Sequence, residues 1–472
     1  VTIELRDSAL LEDLYQFTMC QGYFKQGIHE KQATFELFYR TPPYNWPFVV
    51  AGGIQDALEY VHQLHFTTSD LEYLKSLKLF SAKFLKYLKD WSFTGTIFAV
   101  PDGEVVPPNV PMMSVTAPLG EAQLIETALL NKINFQSLIA TKASRICYAA
   151  QGHPVVDFGL RRAQGMAGLE ATKACMIGGC AGTSNVLAGK LLGIPVKGTQ
   201  AHAWVQSFDT EEESFRAYAE AFPGSSLFLV DTYDTLRYGV PTAIKVAKEM
   251  EEKYGKKFKF LGVRLDSGDL GQLAYETNFL LTEAGYDSDV KIVLSNDLDE
   301  YKIEDIIDGL SGYEDFGKGA IDRLVFGVGT QMITGHPQPA LGGVYKLVEL
   351  DGKPKMKLSS SPEKTTTPCR KNAIRFFDHN GKSLEDVLIR QKDMEKMGDV
   401  DGEKSCALLV EMMTDGHFHY THWKLEEMSQ WRETRLESMK DDYKFLDCIE
   451  EYPVRLDPKL MILKDKMIRR MA

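Results

Sequence analysis

The run Arg264-Leu265-Asp266-Ser267-Gly268-Asp269 places one guanidinium and two carboxylates within six residues, and Gly268 lets the backbone turn sharply between them. Sugar hydroxyls and Mg2+ both call for oxygens of this kind. The same residues also suit an Asp-Ser-Gly turn leading into a helix N-cap, and on this stretch alone both readings stand. A second run, Asp157-Phe158-Gly159-Leu160-Arg161-Arg162, adds an aromatic face and two arginines. Arginine forks bind carboxylate or phosphate through paired charge-assisted bonds, each contributing about 1.5–3 kcal/mol net; a solvated arginine pair is the plain alternative. Gly327-Val328-Gly329-Thr330 offers amides and a hydroxyl to a phosphate ahead of a helix, or forms an ordinary tight turn. Ser295-Asn296-Asp297 is a further polar run, and Asp231-Thr232-Tyr233-Asp234-Thr235 another, which also suits the cap of a helix beginning near Thr242. His202, within Gly198-Thr199-Gln200-Ala201-His202-Ala203-Trp204, is suited to act as a base or phosphoryl acceptor, although a lone histidine is more often structural. Together these groups describe a site for an anionic, phosphorylated sugar.

Each of these runs ends a short β-branched stretch, which defines the elements that must hold them. Six such stretches are visible: Val155 to Phe158, Val196 to Thr199, Leu227 to Asp231, Phe260 to Asp266, Ile292 to Asp297 and Leu324 to Gly327. Helical segments separate them, with Gly255 and Gly285 placed to close two of the helices. Repeated βα units of this kind predict an α/β fold, an irregular parallel βα barrel (TIM-like) over 141–343 with the site at its C-terminal mouth. A doubly wound open sheet is the alternative, and it locates the site at the same strand ends. Residues 1–140 read as a second, α+β domain, with helices from Leu10 to Tyr23 and Asp56 to Leu64 and a β stretch from Thr96 to Pro118. It is completed by 344–380, where a hairpin, Val344 to Leu350 and Lys355 to Leu358, turns at Asp351-Gly352. Ser359-Ser360-Ser361-Pro362 reads as a loop, and 381–472 as a charged helical C-terminal segment.

Composition narrows the classes. The 472 residues suit two large domains, and 44% hydrophobic with 25% charged residues is a globular balance. A net charge of −12 disfavours nucleic-acid and membrane-surface partners, so any phosphate site must be local. Seven cysteines without a C-x-x-C pair fit neither a disulfide framework nor a zinc site and predict free thiols in a reducing, cytoplasmic compartment. Residues 1–7 carry no basic and apolar leader, and no apolar stretch is long enough to span a bilayer.

In combination the motifs resemble those of the nicotinate phosphoribosyltransferase family, over the chain from Leu10 to about Arg375. They are Leu11 through Met19, Asp157 through Arg162, Gly182-Thr183-Ser184-Asn185, Gly198-Thr199 through His202, and Arg264 through Asp269. The resemblance implies transfer of phosphoribose from phosphoribosyl pyrophosphate to nicotinate, giving nicotinate mononucleotide and pyrophosphate, coupled to ATP hydrolysis and feeding NAD synthesis. It also implies Mg2+, and a homodimer with shared active sites in which Tyr15 of one subunit covers the ring held in the other. By the same resemblance, Phe158 and Tyr15 sandwich the pyridine, Arg264 lies beside it, and Arg161 or Arg162 meets the anionic groups. Asp266 holds the ribose hydroxyls, with Thr199, Ser295 and Asn296 also on the substrate. Gly327, Gly329 and Thr330 cradle the 5-phosphate, His202 is phosphorylated by ATP, and Asp269 assists Mg2+. Amide-using relatives carry aspartate at Ser184; a serine hydroxyl can donate to nicotinate's carboxylate where an aspartate would repel it. Cys369 stands where the family usually has glycine, which leaves the shape of that loop open. A nicotinamide-using enzyme, a phosphosugar lyase or isomerase on the same barrel, and a catalytically silent nucleotide-binding relative are the competing readings.

Overall fold

A computed structural model describes residues 8–359, 364–395, 402, 404–419 and 423–471. The residues 1–7 and most of the expected loop Ser359–Pro362 lie outside the described residues. The chain divides into two compact units, one made of Val1–Thr141 with Ala340–Ala472, the other of Lys142–Pro339.

In the second unit, short runs of Val, Leu, Ile and Phe form β1 (Val155–Asp157), β2 (Gly182–Thr183), β3 (Ser226–Leu229), β4 (Phe260–Leu265), β5 (Lys291–Ser295) and β6 (Leu324–Val328). All pairings are parallel, in the order β2-β1-β6-β5-β4-β3. Val263, Leu265, Ile292, Leu294, Phe326 and Val328 are completely buried, as expected of a parallel sheet covered on both faces. The first strand pairs with the last, Val156 opposite Gly327, which is the pairing that curls a parallel sheet toward a barrel. β2 and β3 do not pair, so the wall is open at that seam rather than closed. The expected strand Val196–Thr199 is corrected to a single bridge from Val196 to Thr183. Its physical cause is local: Pro195 has no N–H to give a ladder, and only its carbonyl is used, by the Thr183 N–H.

The helices between strands begin and end where residue chemistry allows. Asp269 accepts the Gln272 N–H at the start of Leu270–Glu283, and Asp299 accepts the Lys302 N–H at the start of Glu300–Ser311. Gly255 (φ 54°) and Gly285 (φ 87°) follow the helices Val240–Tyr254 and Leu270–Glu283 in backbone conformations that side chains resist. The helix anticipated near Thr242 starts at Val240, behind a wide turn, Thr235–Gly239, capped by Asp234.

The first unit is built on a seven-stranded sheet in which Gln32–Phe38 lies between Val344–Leu350 and Met113–Pro118, antiparallel to both. Its helices include Leu14–Lys25 and Ile54–Gln63, close to the expected spans. The hairpin turns at Asp351 (φ 48°) and Gly352 (φ 67°), as expected, but the return strand is Lys353–Pro354. Residues 381–472 are not the uniformly helical segment expected. They hold the strands Ser383–Arg390, Ser405–Ala407, Val410–Thr414, His417–Phe418 and Val454–Leu456 as well as the helices Leu425–Ser438 and Pro458–Met471. Charge misled here because some of it is internal. Asp386 is fully buried and accepts from Arg375 Nε and Nη2, each at 2.8 Å, while Arg375 Nη1 donates to Glu104 at 3.0 Å, so a charge of this region lies within a sheet instead of on a solvated helix face. Cys369 adopts φ 73°, the left-handed region a glycine would occupy without strain. No helix among the described residues is long and apolar enough to cross a membrane.

Candidate functional site

Because β1, β4, β5 and β6 are parallel neighbours, the residues at their C-terminal ends converge. A cavity of about 170 Å3 is lined by Phe158, Arg161, Arg162, Arg264, Asp266, Ser295, Asn296, Asp297, Gly327, Gly329 and Thr330. A larger one, about 810 Å3, lies in the first unit along Arg40–Pro47 and Cys448–Val454; Arg40, Glu450 and Glu451 are on its wall, but none of the residues singled out from the sequence is. The smaller cavity is the one that gathers the strand-end residues.

Arg264 is its pivot. Its Nε donates to Ser295 Oγ at 2.8 Å and its Nη2 to Asp266 Oδ1 at 2.7 Å, while its Cζ lies 5.6 Å from the centre of the Phe158 ring. Burial pushes the Asp266 carboxyl up, but the Ser295 hydroxyl, Arg264 and His202 together outweigh it and hold the group below the ordinary carboxylate value. Asp266 is therefore an anion near neutrality. Phe158 is seated by its own N–H, which donates to the Val328 carbonyl at 2.8 Å, and by Gly327, where a Cβ would come within 2.4 Å of the ring. Gly327, expected to cradle a phosphate, lies against the ring and also lines the cavity. Gly329 and Thr330 open the short helix Thr330–Ile333 at the cavity wall. Asn296 (φ 110°) and Asp297 (φ 44°) hold backbone conformations that are costly for such residues.

Five expected residues do not line this cavity. His202, which begins the short helix His202–Gln206, is adjacent to it: Nε2 lies 3.6 Å from Asp266 Oδ2 and 3.9 Å from Asp231 Oδ1, and Nδ1 is 3.2 Å from Thr232 Oγ1. Ser184 follows β2 and is half-buried, its N–H donating to the Asp157 carbonyl at 2.8 Å. Thr199 uses its hydroxyl on the Gln200 carbonyl at 3.1 Å. Asp269 spends Oδ1 as the helix cap described above. Tyr15 belongs to the first unit, on the helix Leu14–Lys25, and is 48% exposed.

Glu211 was not singled out from sequence, and Asp231 was read only as the head of a polar run that also suits a helix cap. Asp231 Oδ2 accepts the Asp266 N–H at 2.9 Å and the Ser267 hydroxyl, so it shapes the Arg264–Asp269 turn from behind, while its buried Oδ1 has no hydrogen-bond partner. Like Asp157 and Asp266 it directly follows an apolar strand, and that pattern was the available signal. Glu211, the first residue of the helix Glu211–Ala221, is 8% exposed; burial, then the charges of Asp231 and Asp234, push its carboxyl up to about 7.

Residues 10–134 match the nicotinate phosphoribosyltransferase N-terminal domain, and residues 153–393 match the nicotinate phosphoribosyltransferase family. The nicotinate phosphoribosyltransferase of Bacillus subtilis is 41% identical, over 95% of this chain and 92% of its own. That of Caenorhabditis elegans is 36% identical, over 89% and 84%. The crystal structure of human nicotinic acid phosphoribosyltransferase superposes with a TM-score of 0.82 at 29% identity, covering 97% of this chain and all of the human one. A nicotinate-nucleotide pyrophosphorylase from Pyrococcus furiosus shares the fold, with a TM-score of 0.69 at 24% identity over 93% and 96% of the two chains.

Proposed function

The chain belongs to the nicotinate phosphoribosyltransferase family, and on that premise we propose how its cavity performs the transfer. The protein is a phosphoribosyltransferase: nicotinate displaces pyrophosphate from C1 of phosphoribosyl pyrophosphate, giving nicotinate mononucleotide for NAD synthesis. The observation that carries the assignment of roles is the junction of Arg264 with Phe158 on one side and Asp266 and Ser295 on the other. An aromatic carboxylate needs a flat face and a cation together; a ribose needs a fixed anion for its hydroxyls. As the C1–O bond to pyrophosphate breaks, positive charge grows on the ribose, and the Asp266 carboxylate stabilises it without reorganising. Gly329 and Thr330 receive the 5-phosphate, and Arg161 and Arg162 neutralise the remaining anionic groups. We read the curled sheet as an irregular TIM-like barrel, with this mouth as its site.

ATP enters through His202. With Nδ1–H donating to Thr232, the Nε2 lone pair attacks the γ-phosphorus of ATP, forming an N–P bond and breaking the bond to ADP, and hydrolysis of the phosphohistidine is coupled to turnover. Among the described residues no group of three or more His, Cys, Asp or Glu is arranged to hold a metal ion. Asp266 and Asp297 on the cavity wall, with Asp269 close by at the helix start, are the carboxylates that would help hold Mg2+, which would offset the charge of the departing pyrophosphate.

A steady-state assay of nicotinate, nicotinamide and quinolinate with phosphoribosyl pyrophosphate, with and without ATP, tests this reading. Nicotinate should give the highest kcat/KM and ATP should raise turnover, leaving an acid-labile phosphoryl group on the enzyme. Preference for another pyridine would overturn the substrate, and full ATP stimulation in His202→Ala would overturn the coupling.

A further inference from the structure

Asp157 is a completely buried carboxylate that the reaction as derived does not use. Its surroundings join two loops of the same unit. Oδ1 accepts the Gly159 N–H at 2.8 Å, immediately beyond Phe158. Oδ2 accepts the hydroxyls of Thr183 at 2.8 Å and Thr172 at 2.9 Å. Thr183 Oγ1 in turn accepts the Asn185 N–H at 3.0 Å, and Asn185 Nδ2 reaches Thr172 Oγ1 at 3.3 Å, so the carboxylate is wired to both residues flanking Ser184. The Asp157 carbonyl accepts the Ser184 N–H itself at 2.8 Å.

We infer that Asp157 is a positioning residue that locks the Phe158 loop to the Ser184 loop and so sets the preference for a pyridine bearing a carboxylate. The inference rests on the roles proposed above for Phe158 and Ser184, and adds what holds them in register.

Three features single the residue out. β2 has two residues, too few for ladder hydrogen bonds alone to fix its position against β1, and the Asp157–Thr172–Thr183 cluster supplies the missing bonds where Asp157 stands opposite Thr183. Two donors, the Gly159 N–H and the Thr183 hydroxyl, converge on the carboxylate, and the single Thr172 hydroxyl proton is shared between Oδ2 and the Gly168 carbonyl, each at 2.9 Å; an ionised carboxylate accepts from all of them without presenting a donor of its own. Burial outweighs these donors and holds the carboxyl above its ordinary range, so the group is kept in place by its bonds and not by an ion pair.

The test compares wild type with Thr183→Val, which keeps the β-branched shape but removes the hydroxyl, and Thr183→Ser, which restores it. Expected for Thr183→Val is a rise in KM for nicotinate of roughly tenfold and a similar fall in the nicotinate-to-nicotinamide ratio of kcat/KM. KM for phosphoribosyl pyrophosphate and the thermal midpoint should stay near wild type, and Thr183→Ser should recover the ratio. Unchanged nicotinate KM and ratio, or a uniform loss with both substrates, overturns the inference. If Thr183→Val does not fold, Thr172→Val removes the other hydroxyl from the same oxygen and is judged by the same numbers. Wild type that fails to use nicotinate overturns the functional reading instead, which keeps the two failures apart.

Discussion

At the scale of single residues, the site works by setting charge against burial. Asp266 is held ionised because Arg264 and Ser295 outweigh its desolvation, whereas Glu211, close enough to feel Asp231 and Asp234 but with no cation among its causes, is pushed the other way to about 7. The sign for stability follows. A carboxyl at about 7 in the folded chain and near 4.5 when unfolded favours the folded state fully below 4.5, and that contribution is lost as pH rises through 7. Glu211→Gln cannot ionise, so it should match wild type in urea unfolding at pH 4.5 and exceed it at pH 8 by on the order of 2 kcal/mol. Parallel curves for the two proteins across that range would show that Glu211 does not titrate this way. Arg264, Phe158 and Asp266 were legible in the sequence because polar residues closing an apolar strand have few structural reasons to be there. Glu211 was not, and Asp231 was legible only as the head of a polar run, since a carboxylate behind a turn differs from a helix cap only through what is packed around it.

At the scale of elements, strand ends bring the site together and small residues let them approach. Gly327 on β6 is the clearest case, because a methyl there would sit 2.4 Å from two carbons of the Phe158 ring carried by β1. Gly327→Ala should displace that ring, lowering kcat/KM for nicotinate by roughly a hundredfold, with overpacking costing about 1–3 kcal/mol of stability. Wild-type kcat/KM in a folded Gly327→Ala protein would mean that the seat of the ring is not critical. The glycine pattern was visible in Gly327-Val328-Gly329-Thr330, but the packing of Gly327 against the ring was not. Phosphate approach and ring packing make the same demand on residue type, and the second is read only from the neighbour across the sheet.

At the scale of the whole molecule, the proposed sharing of sites between protomers has a direct test in mixing. Tyr15→Ala and Asp266→Asn should each be nearly inactive as homodimers. Mixed and allowed to exchange, half of the dimers pair the two variants and each regains one intact site, so activity should return to about one quarter of wild type. Activity that stays at the sum of the separate variants, or a monomer of full activity in sedimentation, would remove the shared site. Sequence order does not determine assembly, since Tyr15 and the cavity residues belong to different compact units.

What the sequence determined by itself was the set of groups and the edge that presents them: βα alternation makes strands parallel, and parallel strands deliver their C-terminal residues to one side whatever closes the sheet. Tertiary structure alone decided how far the wall closes, because pairing at β2 depends on Pro195 and on a two-residue strand too weak to read as one. It also decided that Asp386, in the region expected to be a helical tail, is interior and paired with Arg375 on the neighbouring strand, since charge pairing across a sheet leaves no periodic trace along the chain. In Arg264 to Asp269 the helix cap expected of the run falls to Asp269. Arg264 and Asp266 line the cavity while Asp269 caps the helix, a division set by the sharp turn at Gly268 (φ 82°) and by Asp231 holding it from beneath.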